Sequence, residues 1–551
     1  MSRIIFLNDI FDVKNQKCVP RSHFLDEEKR EKLYFAELNS LVGKDGHKVG
    51  NYGVANKYNF WSRYLGPYVV AGSIKQHIPE YDVVVLDYFT KLDNFFEVFE
   101  KLVTDDLEYI ALSLTFLHNP FNPRQSTFNL WFFTHEELCE WFDKLKSIAP
   151  NAKIIIGGAL VDTFFKNFIT NKNKKPLPKG MVDYIDYAFH GYGEETIIKF
   201  LKNEIDPGDI FEKDTVKFID QPLLAGKGAI IIPNKWEKNY AIQPNEWLPL
   251  EISKGCRFGC KFCFYDHSGT VIKEGEHLRN ELIYNYENFG TVGYTLTDDT
   301  VNDSMAKIDM MYDVITSLPF KIEWVAYTRP DMFHKYPQML DKMLKMGCRG
   351  MFLGVETFNH RAAKIAGKGL HPDKIKDIIK WLKETAGDDI FILASFIIGL
   401  VGETEESLMD TVHWLRDQRY LDKAQYEILF ISDPGGRSTN AFSDHKEKYG
   451  FTKLEWHPEY YWEHETLNLN QCKEIALKWE DIMEDHPHTL FERHANFNTS
   501  FWAYPRVRSL GYDHKETVKI LTAKEVPLEV YQQNMEWITK YHEDLLKYNV
   551  K

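Results

Sequence analysis

The chain has 551 residues, of which 44% are hydrophobic and 27% charged, and 81 acidic against 67 basic side chains give it a net charge of -14. That length suits two or three domains, the composition is that of a globular chain with ample burial, and the acidic balance argues against a nucleic-acid backbone as partner. The start, MSRIIFLNDIFDVKN, lacks a secretory cleavage pattern, and the apolar stretch Ile390–Val401 is too short for a membrane span, so a cytoplasmic protein with reduced thiols is expected.

From Arg3 to Leu201 strands and helices alternate. RIIFLND, YDVVVLDYF, YIALSLTF, AKIIIGGAL and YIDYAFHG read as strands. LGPYVVAGSIKQHI, FFEVFEKLV, THEELCEWFDKLKSI (capped by Thr134) and EETIIKFLKN read as helices. Alternation of this kind predicts a doubly wound, Rossmann-like parallel sheet over residues 1–201. Ligands of such sheets bind beyond the carboxyl ends of the strands, here after Asp9, Thr115, Gly158 and Gly191. The basic run KNKKPLPK is read as a solvated loop.

Residues 202–247 are rich in Pro, Gly, Asn and Lys and read as a linker. A second alternating series then runs over 248–450, with strands LPLEI, VGYTLT, IEWVAY, GMFLGV, FILASFII and QYEILFI. In the helices between them, Ile375, Ile378, Ile379 and Leu382 mark one buried face and Leu408, Val412 and Leu415 another; Pro372 suits a first turn and Thr404 a cap. Six units predict a partial (β/α)6 barrel. Residues 451–551 lose the strand pattern and read as a mainly helical cap.

The chemistry concentrates in SKGCRFGCKFCFYDHSG. Three of the seven cysteines, Cys256, Cys260 and Cys263, fall within this loop, directly after the first strand of the second series. Thiolates bind zinc or iron–sulfur clusters. With His267 the loop could close a Cys3His zinc site; without it, three thiolates leave one iron of a cubane open for a substrate or cofactor. Chance clustering of ordinary cysteines is the third reading.

The Cys-x3-Cys-x2-Cys spacing in this context resembles the radical S-adenosylmethionine (SAM) superfamily, in its branch with a cobalamin-binding domain. The resemblance implies a [4Fe-4S] cluster on Cys256, Cys260 and Cys263, whose fourth iron chelates SAM and whose electron splits it into methionine and a 5′-deoxyadenosyl radical. It implies SAM contacts at Phe262, Asp298 (or its neighbour Asp299), Arg329, Glu356 beside Thr357, Ser395, Gly399 and Glu403. SDPGG, with Pro434 and Gly435, is similar to the family's sixth-strand turn, with Gly436 where a Thr is usual.

For the first domain the resemblance implies cobalamin against Ser113, Thr115, Gly157, Gly158, Gly191, Gly193 and Glu194. The Asp-x-His-x-x-Gly motif that supplies a cobalt ligand is absent; His77 lacks its context, and His118 sits at a strand's carboxyl end. The implied activity is cobalamin-dependent methylation of an unactivated carbon, with a flavodoxin- or ferredoxin-type one-electron reductant and a small-molecule or peptide substrate. Epimerase, cyclase or rearrangement chemistry without methyl transfer is the alternative, and a non-catalytic metal-stabilised binding protein is another. Methylthiotransfer would need three further cluster cysteines in the first domain, where only Cys18 and Cys139 are available. Aromatic and His residues of 487–506 are candidates for closing the shared cavity.

Overall fold

The computed structural model describes residues 2–8, 62–89, 92, 94–113, 135–158, 161, 181–213, 215–220, 226, 228–263, 269–431, 440–455, 461–484, 491–493, 501, 503–523 and 527–550. Thr115, Thr134, His118, Cys18, His267, the KNKKPLPK run, the SDPGG turn residues 434–436 and most of 487–500 lie outside them.

The first sheet follows the alternation. Its elements are β1 (Arg3–Asn8), α1 (Leu65–His77), β2 (Asp82–Asp87), α2 (Phe95–Leu102), β3 (Leu107–Ser113), α3 (His135–Ile148), β4 (Lys153–Gly157), β5 (Tyr187–His190) and α4 (Glu194–Leu201). Val83, Val84, Val85 and Leu86 are wholly buried in succession, as a parallel strand covered on both faces requires. Strand order is β2-β1-β3-β4-β5, so the order reverses between β1 and β3, and a crevice is expected beyond Asn8 and Ser113.

Two strands then extend this sheet from the segment read as a linker. β6 (Ile210–Lys213) and β7 (Val216–Asp220) form an antiparallel hairpin, and β7 pairs parallel with β5. Residues 202–247 are therefore partly sheet. The strands escaped the pattern because they are short and set among Pro, Gly and charged residues, which read as loop.

The second sheet is an open, all-parallel partial barrel. It runs through β8 (Leu248–Leu250), α5 (Gly275–Phe289), β9 (Gly293–Leu296), α6 (Met305–Thr316), β10 (Glu323–Thr328), α7 (Pro330–Lys335), α8 (Gln338–Lys345), β11 (Cys348–Glu356), α9 (His360–Ala366), α10 (Pro372–Ala386), β12 (Phe391–Ile398), α11 (Glu405–Asp417) and β13 (Lys423–Ile428). Pro372 sits in the first turn of α10, and Thr404 caps α11 with a reciprocal bond to Ser407, as the sequence suggests. Further along come a hairpin, β14 (Phe451–Glu455) and β15 (Tyr461–His464), then α12 (Leu469–Glu484), β16 (Phe491–Arg493), α13 (Ala503–Ser509), α14 (His514–Thr522) and α15 (Leu528–Asn549). β16 adds a seventh strand beside β13, so the order is β16-β13-β12-β11-β10-β9-β8.

The helical C-terminal region fills the barrel and returns to the first domain. Alternate residues of the barrel strands, Val325, Phe352, Phe391 and Leu393, pack with Phe501, Tyr504 and Val507 in one buried cluster. The Phe501 and Phe352 rings lie 5.5 Å apart and those of Tyr504 and Phe391 6.0 Å. Phe501 and Tyr504 thus plug the lower barrel. The same strand alternation, carried two or more residues further, places Glu356 and Ser395 in the layer above. α15 lies along β2: the Asp87 N–H donates to Tyr541 Oη (3.0 Å), and His542 Nε2 lies 2.8 Å from the Asp87 carbonyl. Burial pushes His542 down to about 4, so it stays neutral there.

Candidate functional site

The cysteine loop leaves the barrel after β8 and is pinned on three sides. Beneath it, the Asp298 carboxylate accepts from the Ile252 N–H (2.9 Å) and from the Ser253 hydroxyl. Lys307 Nζ bonds Ser253 Oγ (2.9 Å) and the Thr300 carbonyl (2.8 Å), and pairs with Asp303 (3.2 Å) and Asp298 (3.4 Å). Beside it, the Lys261 N–H donates to the Ala366 carbonyl at the end of α9 (3.0 Å). A Cβ on Gly367, at φ +83, would come within 3.3 Å of the Gly259 carbonyl oxygen, so glycine permits this approach. On the third side Asn440 Nδ2 donates to the Phe262 carbonyl (3.1 Å).

Cys256, Cys260 and Cys263 are half-buried on this loop and form no disulfide. Among the described residues no three His, Cys, Asp or Glu side chains are gathered to hold one metal ion. Among the described residues the loop offers three soft donors and no fourth, and that donor chemistry fits a cubane with an open iron. Burial pushes the Cys256 thiol up; a coordinated metal reverses that preference.

The carboxyl ends of β10, β11 and β12 supply the facing rim. Glu356 ends β11 at φ +72, a conformation that costs a non-glycine residue energy and collects at functional sites. Its carboxylate accepts from Ser395 Oγ (3.1 Å) and pairs with Lys368 Nζ (3.1 Å), which also donates to the Gly354 carbonyl (2.9 Å). A Cβ on Gly354 would stand 2.9 Å from Glu356 Oε1 and would push the carboxylate from this position. The Lys368 ammonium lies 5.7 Å from the Phe262 ring centre. Arg329, at the end of β10, is 5% exposed. Its Nη1 is 3.0 Å from Cys260 Sγ, its Nε and Nη2 bond Asp331 (2.9 and 2.7 Å), and its guanidinium covers the Phe258 ring at 3.9 Å. Asn302 fixes the Arg329 backbone, accepting from its N–H (2.8 Å) and donating to its carbonyl (3.0 Å).

Asp298, Gly399 and Glu403, which the resemblance ties to SAM, each face other parts of the protein. Asp298 is 1% exposed and spends its carboxylate on the root of the cysteine loop. Gly399, at φ +96, faces Trp462 and Cys472, and a Cβ there would stand 2.7 Å from both. Gly399→Ala is therefore expected to cost about 2 kcal/mol, read as a lower denaturation midpoint. Glu403 is buried with its oxygens taken by the hydroxyls of Thr357 and Ser407.

Burial pushes the Glu403 carboxyl from 4.5 up to about 7. With the folded value raised, this group favours the fold fully below about pH 4.5, and the contribution is lost as pH rises through about 7. Glu403→Gln is expected to flatten that dependence. Melting temperatures of both proteins between roughly pH 5 and 8 check this, and the wild type should fall further with rising pH.

In the first sheet, Ser113 and Gly157 end adjacent strands and pair directly. A Cβ on Gly157 would meet nothing within 4 Å, while Gly158 (φ +101) and Gly191 (φ +87) hold backbones that favour glycine. Gly193 caps α4 beside Val70. Glu194 points to the other domain: its carboxylate pairs with Lys254, two residues before Cys256. Lys254 also lies 4.8 Å from the Tyr192 ring centre. His77 Nδ1 lies 2.9 Å from the Ser73 carbonyl of its own helix.

Lys254, Asn302, Lys307 and Lys368 are not singled out by sequence reasoning. Each acts through a partner on another segment, and a lone Lys or Asn carries no spacing signal.

A thiol-bearing loop at the carboxyl end of a partial parallel barrel, docked on a doubly wound sheet, defines the class of fold. Residues 250–415 match the family described as the Radical SAM superfamily, and the central part of the chain is a radical SAM domain. An uncharacterized methyltransferase of Pyrococcus horikoshii is 27% identical over 179 residues, 32% of this chain and 38% of that protein. The anaerobic magnesium-protoporphyrin IX monomethyl ester cyclase of Cereibacter sphaeroides is 26% identical over 293 residues, 48% of this chain and 44% of that protein. The chain thus spans less than half the length of these curated relatives. The radical SAM methyltransferase TsrM from Kitasatospora setae, in a structure with cobalamin and a [4Fe-4S] cluster bound, superposes with a TM-score of 0.55. The match is 13% identical over 98% of this chain and 100% of that one, and the likeness is one of fold. Among the described residues no helix is long and apolar enough to cross a membrane.

Proposed function

We propose that this chain is a radical SAM enzyme that methylates an unactivated carbon of a small-molecule or peptide substrate with the help of cobalamin. The observation that carries the reading is the Glu194–Lys254 pair, which fastens the carboxyl-end loops of the first sheet to the root of the cysteine loop. A cofactor beyond β3–β5 and one on the cysteines would then share one cavity, as methyl transfer to a substrate radical demands.

Cys256, Cys260 and Cys263 would hold the cluster, and Ser113, Gly157, Gly158, Gly191 and Gly193 would border the cobalamin. When bound, the cluster supplies the electron that splits SAM into methionine and a 5′-deoxyadenosyl radical, and cobalamin carries the methyl group. Glu356, braced by Lys368 and Ser395, would accept a hydrogen bond from the ribose or the amino group of SAM. Phe262 would lie near the adenine. Phe501 and Tyr504 close the barrel from below and keep water from reaching the radical through it. The electron comes from a flavodoxin- or ferredoxin-type donor, and a reducing compartment such as the cytoplasm suits the thiols.

Anaerobic reconstitution with iron, sulfide and hydroxocobalamin, then desalting and metal analysis, tests the reading. It expects about four iron atoms and one cobalt per chain. Iron without cobalt removes the methylation and leaves radical chemistry; zinc in place of iron removes both.

A further inference from the structure

Arg329 is read from the sequence as a SAM contact, and the structure gives three of its side-chain nitrogens protein partners. Nε and Nη2 are held in a two-pronged bond by Asp331, and Nη1 is aimed at Cys260 Sγ from 3.0 Å. The Phe258 ring lies against the guanidinium at 3.9 Å, and Asn302 bonds both backbone polar groups of the residue. A side chain fixed by a carboxylate, an aromatic face and a backbone clamp has little freedom to turn toward a ligand. The one direction left to it is the thiol.

We infer that Arg329 is a redox-positioning residue, whose guanidinium donates to the Cys260 sulfur and raises the reduction potential of the cluster that sulfur ligates. The inference rests on the cluster reading above. Its physics is direct. Reduction adds one electron and hence one negative charge to the cluster and its thiolates. A fixed cation hydrogen-bonded to a ligating sulfur stabilises that added charge, and hydrogen bonds to the sulfurs are among the main controls of cluster potential. Burial of Arg329 strengthens the effect, because little solvent screens the interaction. Asp331 works in the opposite sense. Its carboxylate offsets part of the guanidinium charge while aiming it.

The test uses the full chain, reconstituted anaerobically with iron and sulfide and kept free of SAM. Dithionite and mediators poise the cluster, and electron paramagnetic resonance of the reduced form gives the midpoint potential. Arg329→Gln is expected to lower the midpoint by at least a tenfold change in the one-electron equilibrium, which is about 59 mV. Arg329→Lys, which keeps the charge but not the fork, should fall between the two. Asp331→Asn should move the midpoint upward. If Arg329→Gln does not assemble a cluster, the opposite-signed pair Arg329→Lys and Asp331→Asn decides the question. Midpoints unchanged across variants of wild-type iron content overturn the proposal. A wild type that takes up no iron overturns the cluster reading itself, so the two failures are told apart.

Discussion

Alanine at any one of Cys256, Cys260 or Cys263 is expected to abolish 5′-deoxyadenosine formation and to strip the reconstituted protein of most of its iron. The three thiols sit on one loop, and no other described element brings a thiol to them. Two remaining thiolates leave two irons without protein ligands, which a cubane in water does not tolerate. Cys348 and Cys472 are the controls. Both are buried, and burial pushes Cys348 up to about 12 and raises Cys472 as well, so they behave as small apolar groups. Cys472→Ala should keep wild-type iron and lose only about 1 kcal/mol of stability. Iron retained after Cys260→Ala, or lost after Cys472→Ala, would sink the assignment.

The parts of the site that were legible in the sequence share one property: their signal is local. The cysteine spacing, the helical faces of α10 and α11, and the caps at Pro372 and Thr404 all lie within a dozen residues, where periodicity and capping chemistry act. Glu356 and Ser395 read as site candidates because strand ends of a parallel barrel face its site, and the structure bonds the two side chains to each other. What stayed hidden is long-range. Gly399 reads as a place for a cofactor to come close; what comes close is Trp462, more than sixty residues on. Lys368 reads as one surface lysine among many until the turn after α9 brings it to Glu356. β16 is three residues long, and no pattern argument reaches an element that short. The return of α15 to β2 is of the same kind, since the Tyr541 and His542 contacts cross most of the chain.

Asp298, which the resemblance ties to SAM, is bonded in the structure to the root of the cysteine loop, and it carries the second large prediction. Its position after β9 suits an active-site carboxylate, but Lys307 enters from α6 and turns it into the floor of the cysteine loop. Lys307 is wholly buried at the side chain and answers two carboxylates, Asp298 and Asp303. Asp298→Ala would leave that ammonium with half its counter-charge and leave the Ile252 N–H and the Ser253 hydroxyl without their acceptor. Removing one member of such a pair costs about 3 kcal/mol, more than replacing both with apolar groups. The expected result is therefore a lower denaturation midpoint together with poor iron uptake. The triple variant Asp298→Ala with Asp303→Asn and Lys307→Met should recover stability, because no buried charge is stranded. It should not recover iron uptake to the same degree, because the loop's two anchoring bonds are still missing. Had Asp298 been a SAM ligand alone, the single variant would keep both stability and iron and lose only SAM binding. Unfolding curves and iron content on the same three proteins separate the two roles.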